Sequence, residues 1–166
     1  IAEKFSEHPQ YKIFQIDVDK QGTRCYNVKR QNGPEEYEAN TPSFKKMFSK
    51  TKGETLFVIG GSGDISAMSL RIMEQIREKC DISVLYIAPD KSLLSEKRKM
   101  HEKVTYNVLQ NYARSGAISR IYLVSNPQVE SILGDVPIMG YFDKLNSFIV
   151  STMHMINVFK NAEPVM

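Results

Sequence analysis

The stretch FVIGGSGDISAM, residues 57–68, runs an apolar tripeptide into two glycines, a serine and a third glycine, and then into a helical pattern. A short apolar run that ends in such a loop and hands the chain to a helix opens a βα unit. Two readings of Gly60, Gly61, Ser62 and Gly63 stand open at this level. Free N–H groups and the positive end of a helix dipole make a strand-to-helix junction an anion site, and glycine lets phosphate come close to the backbone. Ser62 adds a hydroxyl donor. The same residues also suit a tight turn, since the pattern is neither a Walker loop nor GxGxxG. Asp64 sets a carboxylate at the same end, where it favours a helix amino terminus and opposes a phosphate.

Outward from this loop the alternation repeats. Ile65, Met68, Ile72, Met73 and Ile76 keep helical spacing from Asp64 to near Cys80, and ISVLYIA, residues 82–88, is a second apolar strand. A long helix over 93–114 carries Met100, Val104, Val108 and Tyr112 on one stripe, and Gly116 stops it. RIYLVS, residues 120–125, is a third strand, followed by a short helix after Asn126-Pro127. The last helix, 140–160, shows Phe142, Leu145, Ile149, Met153, Ile156 and Phe159 at helical spacing. Upstream, 11–17 reads as a strand, 23–29 as a weaker one, 30–42 as a loop, 43–50 as a short helix and 55–59 as a buried strand. Strands alternating with crossover helices imply a mostly parallel sheet covered on both faces, with ligands at the carboxyl ends of the strands.

Composition fits one domain. A chain of 166 residues with 42% apolar residues can bury a real core without a disulfide framework. Lys plus Arg exceed Asp plus Glu by only three, and no long single-sign run argues for nucleic acid as a partner. Cys25 and Cys80 lack CxxC spacing, and their use fits a reduced, cytoplasmic setting. No apolar run approaches the roughly 20 residues of a membrane helix. The opening IAEKF reads as the last turns of a helix, and hence the chain as a fragment.

Several other residues carry chemistry or a plain structural role. Asn126 offers an amide that pairs with a base edge, or it caps a helix ahead of Pro127. Phe142 and Asn146 lie four apart and share a helix face, where a ring stacks on a base and an amide bonds its edge, or where the ring joins the core. Asp17 and Asp19 end the first strand and suit a water, a magnesium ion or a turn. Lys97, Arg98 and Lys99 suit a phosphate or a solvated helix face. His8, His101 and His154 have no metal-ligand spacing, and no Ser, Cys or His nucleophile motif is present.

Taken in order, these signals resemble the nucleotide-binding domain of the tubulin/FtsZ superfamily, most clearly from residue 55 to 159. IGGSGDI stands where that family has GGGTGSG, and SAMSLRIMEQIREKCDISVLYI is similar to the helix ending in KIREE and the strand after it. SNPQVESIL resembles the family's guanine-reading segment, and YFDKLNSFIVSTM looks like YGDLNHLVSATM at the start of its central helix.

The resemblance implies an α/β, three-layer Rossmann-like domain over 1–166, lacking the family's N-terminal glycine loop and its C-terminal domain. It implies Gly60, Gly61, Ser62 and Gly63 at the phosphates of GTP or GDP, with Asn40 and Thr41 at the terminal phosphate. Asn126 and Asn146 read the guanine, Phe142 stacks near it, and Asp19 contacts ribose, water or Mg2+. No residue of this chain is implied as catalytic, and no direct metal ligand is implied. Hydrolysis is completed at the interface between subunits of a filament. The sequence departs from the family at Ile59, which replaces the loop's first glycine, and at Asp64-Ile65, which replace its end. Those departures fit an alternative, a degenerate tubulin-like scaffold or partner-binding module without GTPase activity. A Rossmann-like methyltransferase is a third reading, opposed by the spacing of Asn126, Phe142 and Asn146.

Overall fold

The computed structural model describes residues 1–163. The single-domain reading of 1–166 includes residues 164–166, which lie outside the described residues. Three parallel strands form the centre: β3 (Gly53–Gly60), β4 (Cys80–Ala88) and β5 (Arg120–Ser125), in the order β3-β4-β5. A separate pair, β1 (Gln15–Asp17) and β2 (Cys25–Asn27), is also parallel.

The layers follow from the two-residue period of β4. Ile82, Val84 and Tyr86 point into one cluster of buried side chains, and Leu85, with Ile87 beside it, into another. On the Tyr86 face lie α3 (Ser69–Ile76), through Ile72, Met73 and Ile76, and α4 (Glu96–Arg114), through Leu109. Tyr37 of α2 (Pro34–Ala39) joins them there, with Phe44 and Phe48. On the Leu85 face lie α6 (Tyr141–Asn161), through Leu145, Ile149, Val150 and Met153, Val129 of α5 (Asn126–Leu133) and Phe5 of α1 (Ala2–Ser6). The expected α/β fold with parallel strands and helices on both faces is therefore present, and its sheet is in two pieces.

Local departures have local reasons. The strand expected over 11–17 pairs only from Gln15, and that over 23–29 only over Cys25–Asn27. The expected loop 30–42 contains α2, because Pro34 sits in the first turn, where its missing N–H costs nothing. Residues 43–50 make turns instead of a helix, anchored by Gln75, whose amide accepts from the Phe44 N–H (2.7 Å) and donates to the Pro42 carbonyl (3.1 Å). The helix after Asp64 begins as a 3-10 turn, Ile65–Met68, before α3. In α4 the Met100 stripe is not the buried one: Met100 is 70% exposed and Val104 56%, while Glu102 and Leu109 are buried. Gly116, at φ +79°, takes the left-handed conformation that ends this helix, as its sequence position implies.

Candidate functional site

The carboxyl ends of β3, β4 and β5 lie level, since Gly60 is in register with Ile87 and Ala88 with Ser125. The loop 61–64, the segment after Ala88 and the start of α5 therefore share one edge. The start of α6 joins them. The Tyr141 hydroxyl donates to Glu130 Oε2 on α5 (3.0 Å), which holds that hydroxyl's pKa up, and the charge of Asp90 beyond β4 pushes it the same way.

Within the glycine loop each residue has a distinct task. Gly61 is buried and its N–H continues the sheet, donating to the Ile87 carbonyl at 2.9 Å. A Cβ built at Gly61 would lie 2.7 Å from the ζ carbon of Tyr86 and closer still to its hydroxyl, with Pro89 Cδ at 3.0 Å. Glycine is required here by a phenol beneath the loop. Gly63 donates to the Gly60 carbonyl (3.3 Å) and closes the turn. The N–H groups of Ser62 and Asp64 have no hydrogen-bond partner among the described residues, which leaves two donors of the loop unspent.

Asp64 does not cap the helix that follows. Arg98, from the first turn of α4, lies with Nη2 3.1 Å from Asp64 Oδ1 and donates through Nη1 to the Ser62 carbonyl (2.8 Å). The approach to Asp64 is poorly aligned, so its buried Oδ1 receives no hydrogen bond. Below this pair the Tyr86 hydroxyl donates to Glu102 Oε1 at 2.9 Å, and Lys91 Nζ lies 3.7 Å from Glu102 Oε2. Glu102 is 3% exposed, a buried carboxylate kept by one hydrogen bond and one partner cation.

Burial pushes the Tyr86 phenol pKa well above its ordinary value of 10.0, and the hydrogen bond to Glu102 adds to the rise. The folded protein binds this proton more tightly than the unfolded chain does. Its contribution is therefore intact below about pH 10 and falls away as pH rises above that value. Alkaline urea titrations should show stability dropping above pH 10, with a shallower drop in Tyr86→Phe; an unchanged slope would contradict the arrangement.

At the other end of the edge, Asn126 is half-buried and does not cap α5, whose cap position is Ser125. Asn146 is half-buried on α6. Neither side-chain amide has a hydrogen-bond partner among the described residues, so both keep donor and acceptor free. Phe142 is 70% exposed, outside the core that its helical stripe suggests, with its ring edge-on to Tyr141 at 5.1 Å.

The remaining predicted residues are engaged elsewhere. Asn40 Nδ2 donates to the Glu36 carbonyl (2.9 Å) and the Thr41 hydroxyl to the carbonyls of Tyr37 (3.0 Å) and Glu38 (2.8 Å), so both close the end of α2. Asp19 is exposed and bonded to Arg30. Sequence reasoning missed Tyr86, Glu102 and the loop contact of Arg98. The signal was present, because Glu102, Tyr106 and Ala113 keep the helical spacing of one inward face with Leu109, and Arg98 continues that row at its exposed start.

No family model matches the chain, and comparison with curated proteins and with solved structures likewise finds no match. Among the described residues no helix is long and apolar enough to cross a membrane, and no three acidic, His or Cys side chains gather as a metal site.

Proposed function

We propose that the chain is a divergent guanine-nucleotide-binding domain of the tubulin/FtsZ type, with the nucleotide lying along the carboxyl edge from the glycine loop to α6. The observation that carries this reading is the base end. Asn126 and Asn146 have free amides and Phe142 has an exposed ring, all on elements that start at that edge. An unpartnered amide offers one donor and one acceptor, the pair that a guanine edge complements.

The phosphate end fits a nucleotide in part. The N–H groups of Ser62 and Asp64 and the unused donors of the Arg98 guanidinium suit phosphate oxygens. Asp64 Oδ1, buried and without a hydrogen bond, suits a water on Mg2+ better than a phosphate oxygen. When bound, GTP supplies the phosphoanhydride bond; the chain's own residues hold and orient it. In this reading a neighbouring subunit of a cytoplasmic filament completes hydrolysis. The exposed side chains of Ile138 and Met139 supply apolar surface for such self-association.

A second reading, a scaffold of the same ancestry that binds no nucleotide, is favoured by the Asp64–Arg98 contact and by the N–H groups of Gly61 and Gly63 being used within the protein. Calorimetric titration with GTP, GDP and ATP separates the two. GTP and GDP should bind and ATP should not, and Asn146→Ala should weaken binding roughly tenfold to hundredfold, the worth of a paired amide–base contact. A folded protein that binds none of the three sinks the proposal and leaves the scaffold, and one that binds ATP equally well sinks both readings.

A further inference from the structure

Two cavities border edges of the sheets. One, of about 640 Å³, separates the outer edge of β3 from β1, and both strands are unpaired there, since β3 bonds only to β4 and β1 only to β2. The other, of about 350 Å³, opens between the outer edge of β5 and α6. Residues 121–124 of β5 line one side of it and Phe148, Thr152 and Ile156 of α6 the other, and no acidic residue lines it. Because β5 bonds only to β4, its outer edge is bare, and no lysine, proline or bulge interrupts the strand.

The hydrogen-bond phase shows which groups of β5 are left over. The carbonyls of Lys79 and Ile87 accept from Gly53 (3.0 Å) and Gly61 (2.9 Å), so the odd positions along β4 face β3. The even positions face β5, where the Ile82 carbonyl accepts from Ser119 (2.8 Å). In a parallel pair each such residue bonds to the two neighbours of its register mate. Val84 and Tyr86 are in register with Ile121 and Leu123, so they bond to Arg120, Tyr122 and Val124. The N–H and C=O groups of Ile121 and Leu123 therefore point away from the sheet, beside the apolar wall of α6. An extended backbone laid there takes up those groups and sets alternate side chains against Phe148 and Ile156. A small molecule would use the wall and leave the strand edge unpaired.

We propose that the β5 edge is a strand-addition site for an extended peptide of a partner protein, apolar along the row that faces α6 and acidic at both ends of that row. Charge selects the occupant. Side-chain alternation puts Arg120 on the α6 side with Tyr122 and Val124, at the start of the strand. Lys144 continues the helical row of Phe148 and Thr152 toward the other end of the strand. On the opposite face of the sheet, Tyr112 of α4 donates to Glu74 of α3 (3.1 Å), and Lys103, two and a half turns away, lies on the flank toward β5. All three cations are exposed, and none forms an ion pair among the described residues. Asp81, one strand over, is spent on the Ser119 hydroxyl. A second copy would set the edge against itself and gather both sets of cations without an acid. A bilayer cannot take up backbone N–H and C=O groups. The site stands on β5 and its two flanking helices, and it holds whether or not the carboxyl edge takes nucleotide.

Amide hydrogen exchange of the 166-residue chain, without nucleotide, tests it with two synthetic peptides as probes. One is acetyl-Glu-Thr-Val-Thr-Val-Thr-Glu-amide, and the other carries lysine at both ends instead. Without peptide, the amides of Ile121 and Leu123 should exchange far faster than those of Tyr122 and Val124. The acidic peptide at millimolar concentration should slow them roughly tenfold or more, and the lysine peptide should not. Arg120→Glu combined with Lys144→Glu should reverse that preference, and since both side chains are exposed the variant keeps its fold. No protection by the acidic peptide overturns the proposal, as does equal protection by both peptides or a preference that the double variant retains. Protection that grows with protein concentration in the absence of peptide overturns it too, by assigning the edge to a second copy.

Discussion

Gly61→Ala should lower the unfolding free energy by about 3 kcal/mol, at the upper end of what overpacking costs in a close-packed interior. The new methyl meets the Tyr86 ring carbon at 2.7 Å. Tyr86 cannot retreat, because it is fully buried, tilted against Tyr106 at 5.2 Å between ring centroids, and tied to Glu102 by its hydroxyl. The loop cannot lift without breaking the Gly61 N–H bond to Ile87. Thermal unfolding should therefore move down by roughly 6–12 °C for a domain of this size. Gly60→Ala, where a Cβ meets nothing within 4 Å, should move it far less. A Gly61→Ala protein as stable as its Gly60→Ala counterpart would show that Tyr86 is not what the glycine accommodates. The two variants also separate the explanations of the loop, since a pure phosphate cradle gives Gly61 no reason to matter to stability.

Leu85→Ala should cost about 2–5 kcal/mol, the range for deleting a fully buried leucine. Leu85 is 0% exposed at the centre of the middle strand, flanked in register by Val58 and Tyr122, and it anchors the cluster that holds α6, α5 and α1. Its neighbours cannot close the void easily, because strands fix it on both sides. Leu56→Ala on β3 faces the same cluster beside the open cavity and should cost clearly less. Urea unfolding of the pair measures the contrast. Equal losses would mean that the β3 edge is as tightly packed as the middle of the sheet, against the cavity seen there.

Much of the fold was legible because its signals are local. The runs LFVI, ISVLYI and RIYLV are continuous apolar segments, and a strand covered on both faces needs both of its side-chain rows apolar. Asn126, Phe142 and Asn146 could be placed at element starts from Pro127, Gly140 and helical spacing. Their state could not: whether an amide is spent on a cap or a ring enters the core depends on neighbours far along the chain. In α4, Met100 and Val104 made the more apolar stripe, yet the helix turned Glu102 inward, since a buried tyrosine hydroxyl required an acceptor.

The sequence by itself determined an α/β chain with parallel strands and helices between them, because hydrophobic period and turn residues act over a few positions. Only the tertiary structure decided what the glycine loop is for and how the sheet is divided. Gly61 answers to Tyr86, Ser62 and Asp64 answer to Arg98, and the unpaired edges of β1 and β3 face one cavity. Each of these joins residues well separated in the chain, where no local pattern records which side chain will arrive.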